Sequence, residues 1–350
     1  MATIPIHPDK LDADPWQFNC PNGILDLRKG TLRDHRREDF ITKASQVSFD
    51  PAAKCPQFLG FLDSIMAKNQ SLIPFLQRAI GYALTGDIAE QCFFIFYGHG
   101  ANGKSTLLEV LRSLVGDYGQ QASFTTFLSS DQERVRNDLA RLRGARLVTA
   151  VEVEEGRRLS EVVVKQVTGG DPITARFLYS ENFEFKPQFK LFLACNHKPV
   201  IRGTDHAIWR RIRLIPFTVE IPDDQQDKEL PLKLRAELPG ILTWAVKGCL
   251  DWQRDGLAAP KEVLHATKEY REEMDVLGMF LDECCDTQGE VLTGHLFGAY
   301  KNWAEAQEEY VMSQKLFALK LRERGFTPYA RHGNRYWREI SLKSGVAPEF

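Results

Sequence analysis

Eight residues, Gly98-His99-Gly100-Ala101-Asn102-Gly103-Lys104-Ser105, follow directly on the apolar run Cys92-Phe93-Phe94-Ile95-Phe96-Tyr97. They match G-x-x-x-x-G-K-[ST], and Thr106-Leu107-Leu108-Glu109-Val110-Leu111 continues as a helix. Glycines at 98, 100 and 103 let the backbone bend until its N–H groups face inward as an anion nest. The helix that opens there adds the positive end of its dipole. A glycine-rich loop alone is a turn; strand, Lys, Ser and helix in register make it a phosphate cradle. Gly98 to Thr106 are expected to hold a nucleotide, with Lys104 reaching the outer phosphates and the Ser105 hydroxyl holding Mg²⁺.

Further chemistry stands at the ends of later apolar runs. Arg146-Leu-Val-Thr-Ala-Val reads as a strand and ends in Glu152, with Glu154 and Glu155 close behind. One acid there can hold the metal while another orients the attacking water, and the spacing leaves open which does which. Phe189 to Cys195 forms another strand and ends in Asn196, a short polar side chain suited to sensing the γ-phosphate. Trp209-Arg210-Arg211-Ile212-Arg213-Leu214-Ile215-Pro216-Phe217 follows. Arg210 and Arg211 stand where that strand begins, and a planar guanidinium stabilises charge on a transferring phosphoryl group. Arg211 and Arg213 alternate with apolar residues and are expected to share one strand face.

These groups must be positioned by a chain of 350 residues, 43% of them apolar, enough for two or three packed units. No apolar run approaches the roughly 18 residues of a membrane span. The beginning carries no signal-peptide pattern, and seven cysteines without a C-x-x-C pair support neither a zinc site nor a disulfide framework. A reducing cytoplasm, that of a bacterial host, is the expected location. The formal charge of −2 places any nucleic-acid surface locally.

Asn22 to Leu32 reads as a hairpin turning at Gly30, and Leu72, Leu76, Ile80 and Leu84 mark a helix that Gly86 stops. From about 91 to 217 strands alternate with helices, the pattern of an α/β layer. Residues 224–286 are helical with breaks at Pro231, Pro239 and Pro260. The tail reads as a helix (Leu296 to Ala306), a second helix (Ser313 to Arg324) and a hairpin (Phe326 to Ile340), the order of a winged helix.

In this order, Gly98 to Ser105, Glu152-Val-Glu-Glu-Gly156, Lys165-Gln-Val-Thr-Gly-Gly-Asp171, Phe189 to Asn196 and Trp209 to Phe217 resemble superfamily 3 helicases. The likeness is to the helicase half of phage and plasmid primase-helicases, a group that includes the poxvirus primase-helicase. Asn22 to Leu27 and Leu76 to Gly86 resemble the helical collar before that motor. Ala299 to Trp303, Arg322 to Phe326 and Arg335 to Arg338 resemble the terminal winged helix. The resemblance implies an AAA+-like α/β P-loop NTPase core over 89–220, preceded by a mixed, helical collar and oligomerisation region over 1–88. It further implies a helical segment over 221–288 completing the motor and a winged helix over 289–345.

It implies a homo-oligomeric ring, usually a hexamer, that hydrolyses ATP at subunit interfaces and moves 3′→5′ on DNA beside a primase domain or protein. Lys104 and Ser105 match the family's phosphate and magnesium residues, Glu152 with Glu154 or Glu155 its acidic motif, and Asn196 its sensor. Arg210 and Arg211 match the finger given to the neighbour's ATP. The chain departs from the family where Val153 separates Glu152 from Glu154.

DNA has two expected sites. Pro172 to Lys186 forms a hairpin with a polar tip around Tyr179 and Ser180, which in the family grips single-stranded DNA inside the ring. Ser180 and Glu181 stand where the family often has lysine, so Lys165, Arg176 or Lys186 are expected to supply the positive charge. Between Ser313 and Lys343 eight Lys/Arg, among them Lys315, Lys320, Arg322, Arg331 and Arg335, face two glutamates. Such a surface binds duplex phosphates with little sequence information. The main rival is an ATP-switched origin-binding or loading module without processive unwinding. A small-molecule P-loop kinase would leave the basic tail unexplained.

Overall fold

The computed structural model describes residues 6–7, 10–129, 137–151, 156–177, 181–203, 206–344 and 346 of the chain. They fall into two compact units, Met1–Lys268 and Glu269–Phe350. The first begins with three antiparallel strands, β1 (Gln17–Cys20), β2 (Gly23–Asp26) and β3 (Thr31–Arg33). The β2–β3 connection is the hairpin expected at Gly30, whose φ is +67°; β1 adds a third strand. Helices α1 (Pro56–Ile65) and α2 (Leu72–Leu84) follow. Leu72, Leu76, Ile80 and Leu84 are buried along one stripe of α2, as their spacing requires.

The chain then runs through β4 (Phe93–Tyr97), α3 (Lys104–Val115), β5 (Gly119–Gln121), α4 (Asn137–Ala140), β6 (Leu147–Val151) and α5 (Glu161–Gly169). The antiparallel pair β7 (Ile173–Ala175) and β8 (Phe183–Phe185) precedes β9 (Lys190–Cys195), α6 (His206–Trp209) and β10 (Ile212–Pro216). Five strands form one wholly parallel sheet in the order β10-β4-β9-β6-β5, a P-loop NTPase-like core. Strands buried on both faces read as unbroken apolar runs. β9 is buried throughout and β4 everywhere but Tyr97. Tyr97 lies opposite Cys195, and Val151 opposite Ala194, so β4, β9 and β6 end level at one edge.

Two cations fasten α2 to the other edge of this sheet. Arg146, just before β6, is 3% exposed, and Lys190, the first residue of β9, is 1% exposed. The Arg146 guanidinium donates to Leu84 O at 2.9 Å and Gln17 O at 2.7 Å. Lys190 Nζ donates to Thr85 O, to Asp87 O at 3.0 Å and to Gln188 O at 3.2 Å. Both cations thus meet the negative end of the α2 dipole. They also lie over ring faces, Arg146 4.4 Å from Tyr118 and Lys190 4.7 Å from Tyr82. Burial still pushes the Lys190 pKa well below its usual value. Arg146 reads from its neighbours as part of a strand, and nothing local to it signals this role.

α7 (Leu230–Ala236), α8 (Leu238–Asp255) and α9 (Lys261–Glu273) come next. Pro231 and Pro239 occupy the first turns of α7 and α8, and Pro260 precedes α9. Each proline starts a helix, since its missing N–H is not needed there. α2 and α8 cross in near contact through glycine: a Cβ on Gly81 would lie 2.1 Å from Cys249 N, and one on Gly248 2.0 Å from Gln77 O.

The second unit holds α10 (Val276–Cys284), β11 (Cys285–Asp286), β12 (Glu290–Leu292), α11 (Thr293–Ala306), α12 (Gln314–Glu323), β13 (Pro328–Arg331), β14 (Asn334–Arg338) and β15 (Ser341–Leu342). Its core centres on Phe280, Tyr300, Phe317 and Trp337. The expected two helices and hairpin are present, and β12 pairs with β14 to make a three-stranded sheet that the sequence reading did not include. Among the described residues no helix is long and apolar enough to cross a membrane.

Candidate nucleotide site at the carboxyl edge of the sheet

β4 is flanked by β9 and β10, so the loop leaving its carboxyl end emerges between two neighbouring strand ends. Ligands of open α/β sheets bind at such positions. Phe217 N donates to Tyr97 O at 2.7 Å and Ile221 N to Ala101 O at 2.7 Å, fixing the loop from the β10 side. A Cβ on Gly98 would lie 2.1 Å from Phe217 O, so only glycine fits. Gly103, with φ +82°, turns the chain into α3, whose N-terminus no side chain caps. Its first N–H groups therefore face the loop, as anion binding requires.

Lys104 is 6% exposed. Its ammonium donates to Gly98 O, to His99 O at 3.1 Å, to Asn102 Oδ1 at 3.0 Å and to Asn196 Oδ1 at 3.1 Å. Asn102 is itself buried, and its amide nitrogen donates to His99 O. Burial lowers the Lys104 pKa, and the oxygens it donates to among the described residues are uncharged, so a phosphate would add counter-charge. A cavity of about 270 Å³ opens here, lined by Gly100 to Thr106, Val151, Ala194 and Asn196. Lysine, helix N-terminus, and the Ser105 and Thr106 hydroxyls thus converge where a polyphosphate would be bound.

The motifs give Lys104 and Asn196 separate roles toward the phosphates, and no local pattern signals that the two side chains touch. They are 92 residues apart, and only the β4–β9 pairing brings them together. The loop motif likewise leaves Asn102 as one residue among several, whereas its side chain holds the lysine. Val151 reaches the cavity wall; Glu152, Glu154 and Glu155 follow it and lie outside the described residues. Among the described residues no group of three or more His, Cys, Asp or Glu is placed to hold a metal ion.

The two arginines separate. Arg210 is exposed, its guanidinium 3.2 Å from Gln91 Oε1. Arg211 is 8% exposed; its Nε donates to Thr168 Oγ1 at 3.2 Å and its Nη1 to Ala207 O. The expectation that either could serve a neighbour is corrected for Arg211, whose guanidinium is enclosed by α5 and α6 of its own chain. β10 starts only at Ile212, so Arg211 and Arg213 do not share a strand face.

The expected DNA contacts are scattered. Lys165 pairs with Glu161 at 3.9 Å, while Arg176 and Lys186 are exposed on the β7–β8 hairpin; Tyr179 and Ser180 lie outside the described residues. Phe177, 44% exposed, stacks on Phe183, and the Arg143 guanidinium lies over that ring at 5.4 Å, a pairing the sequence gave no sign of. In the second unit Lys315, Arg322, Arg331 and Arg335 are exposed and Lys320 is half-buried. Arg331 lies 3.3 Å from Glu290.

Residues 1–67 match the family described as D5 N terminal like, and residues 96–211 match DUF5906, a family of unknown function. "Putative helicase L207/L206" of Acanthamoeba polyphaga mimivirus is 29% identical over 320 residues, 84% of this chain and 33% of the relative. "Putative primase C962R" of African swine fever virus (isolate Tick/Malawi/Lil 20-1/1983) is 23% identical over 214 residues, 58% of this chain and 22% of the relative. The chain thus spans about a third of the first of these and less of the second. The apo structure of the NrS-1 C terminal region shares the fold with a TM-score of 0.53 at 11% identity, covering 94% of this chain and 83% of that one. The likeness to primase-helicase-type helicases that the motifs carry is borne out by these matches.

Proposed function

We propose that the chain is the motor of an ATP-dependent, ring-forming DNA helicase that acts in replication of a phage, plasmid or integrated element. The observation that carries this reading is the Lys104–Asn196 contact at 3.1 Å inside the cavity at the start of α3. It joins the phosphate-binding lysine to the strand-end residue best placed to report whether a γ-phosphate is present.

In this reading the polyphosphate displaces the carbonyl partners of the Lys104 ammonium, and the freed Asn196 amide turns to the γ-phosphate or its water. Bound Mg²⁺ would neutralise charge on the outer phosphates, with Ser105 and Glu152 as its protein ligands and Glu154 or Glu155 orienting the water. In this reading the five-stranded parallel sheet serves as an AAA+-like core. Residues 1–88 serve as collar, 221–288 complete the motor, and 289–345 form a winged helix for duplex DNA. The β7–β8 hairpin faces single-stranded DNA in the channel of a hexamer moving 3′→5′, beside a primase domain or protein.

ATP hydrolysis together with strand displacement on a forked duplex tests the reading. ATP-dependent DNA binding without displacement would favour the rival, a switched loading module. Asn196→Ala is expected to lower turnover roughly ten- to hundredfold, the worth of one hydrogen bond to a charged group, with nucleotide affinity much less changed. Equal losses in both would remove its sensor role.

The basic surface of the second unit has its own test. Replacing Lys320, Arg322, Arg331 and Arg335 by glutamine should flatten the salt dependence of duplex binding by roughly 3 to 4 in log–log slope, about 0.9 per phosphate contact. ATP hydrolysis without DNA should persist. An unchanged slope would reduce these residues to a solvated face.

A further inference from the structure

In the second unit, β12, β14 and β13 turn one side of their sheet into the core, where Trp337 and its partner Val291 are buried. Cross-strand partners share a side, and neighbours along a strand alternate. The outward side therefore carries three rows. Leu292, Tyr336 and Tyr329 stand opposite one another in the middle row. Glu290 and Arg338 form the row on one flank, Asn334 and Arg331 the row on the other, each two residues or about 7 Å along the strands. The middle row is half-buried and the flanking residues are exposed.

The tyrosine row is pre-formed. The Tyr329 and Tyr336 rings stack with centroids 5.6 Å apart and planes 28° from parallel. The Arg338 guanidinium lies 4.4 Å from the Tyr329 centroid. The Tyr329 hydroxyl donates to Glu290, which also accepts from Arg331 at 3.3 Å. Glu290 thus offsets one of the two guanidiniums, and Arg338 has no ion pair among the described residues. A surface of ring faces with a cation on either flank suits one kind of anion. Duplex DNA presents base edges and phosphates, because its bases are stacked on one another. An unpaired base has a free π-face and a phosphate on each side of it.

We propose that the outer face of the β12–β14–β13 sheet binds single-stranded DNA, with an unpaired base on the tyrosine row and the adjoining phosphates at Arg338 and Arg331. The choice of DNA rests on the helicase reading above; the stacking chemistry does not. The contact differs in kind from the phosphate contacts of Lys315, Lys320 and Arg322 on α12, which need no unpaired base.

The test measures, by fluorescence anisotropy with the full chain, binding of an oligothymidine, an abasic strand of the same length, an oligouridine and a blunt hairpin duplex. Tyr329→Leu and Tyr336→Leu should each weaken oligothymidine binding at least about fivefold, the lower worth of one base–aromatic stack. Tyr336→Phe should bind it as the wild type does, and all three variants should bind the duplex normally. The wild type should bind the abasic strand at least about fivefold more weakly than oligothymidine, a comparison that needs no variant to fold. A strand carrying 5-iodouracil should, on irradiation, crosslink to Tyr329 or Tyr336. Crosslinks confined to residues 1–268, or equal affinity for thymidine and abasic strands, would overturn the proposal. So would Leu variants that melt normally and either keep oligothymidine affinity or lose duplex affinity equally. Oligouridine bound tenfold more tightly than oligothymidine would overturn the choice of DNA, and displacement of oligothymidine by polyglutamate would make the face a protein surface instead. A chain that passes these tests yet displaces no strand from a fork loses the helicase reading and keeps this one.

Discussion

Lys104→Ala is expected to lower ATP hydrolysis by at least 10²- to 10³-fold while leaving the fold intact. Removing one pre-positioned donor to a developing phosphoryl charge costs about that much, and this donor carries a full charge. The ammonium lies in a cavity at the edge of the sheet, so the oxygens it leaves, Gly98 O, His99 O, Asn102 Oδ1 and Asn196 Oδ1, can be hydrated. Thermal unfolding should shift by no more than a few degrees. The wild-type protein also has a pH signature. Burial lowers the Lys104 pKa in the free protein, and phosphate charge raises it again. On the alkaline side, between those two values, ATP binding should take up protons, and the observed heat should vary with the buffer. Lys104→Ala should lose that uptake. Near-native turnover in the folded variant would refute the P-loop assignment.

How much of this was legible in the sequence depended on how local its cause is. The loop from Gly98 to Ser105 is a local pattern, strand then glycines then helix, and the fold reproduces its order, with β4 ending at Tyr97 and α3 opening at Lys104. Four of the five parallel strands were legible because burial on both faces leaves apolar runs such as Leu191 to Cys195; β5, Gly119–Gln121, carries no such run. The Lys104–Asn196 contact was not, because it depends on which strands are neighbours. The separation of Arg210 from Arg211 was hidden for a different reason. Adjacent arginines are chemically alike, and only the end of α6 at Trp209 turns one outward and the other onto Thr168. Arg146 and Lys190 show the limit most clearly. Nothing local to these charged residues at the strand starts points to their partners, the carbonyls of Leu84 and Thr85 at the end of α2, 62 and 105 residues away in the chain.

The two arginines should therefore give different phenotypes. Arg211→Ala removes hydrogen bonds to Thr168 and Ala207 from a buried site, and is expected to destabilise the fold by about 2–4 kcal/mol. Arg210→Ala removes an exposed contact with Gln91 and should melt like the wild type. If Arg210 is the finger given to a neighbouring subunit, its loss should lower turnover roughly 10³- to 10⁵-fold, the worth of an arginine finger in other phosphoryl-transfer systems. Hydrolysis per chain should also rise with protein concentration as rings assemble. Mixing Arg210→Ala with Lys104→Ala decides between a finger in trans and a role within the chain. Each variant supplies what the other lacks, so some interfaces in mixed rings pair an intact lysine with an intact arginine, and activity should return. If mixed rings form and stay inactive, Arg210 acts inside its own chain. The ATP site would then be complete in one subunit, and the dependence of hydrolysis on ring assembly would need another cause.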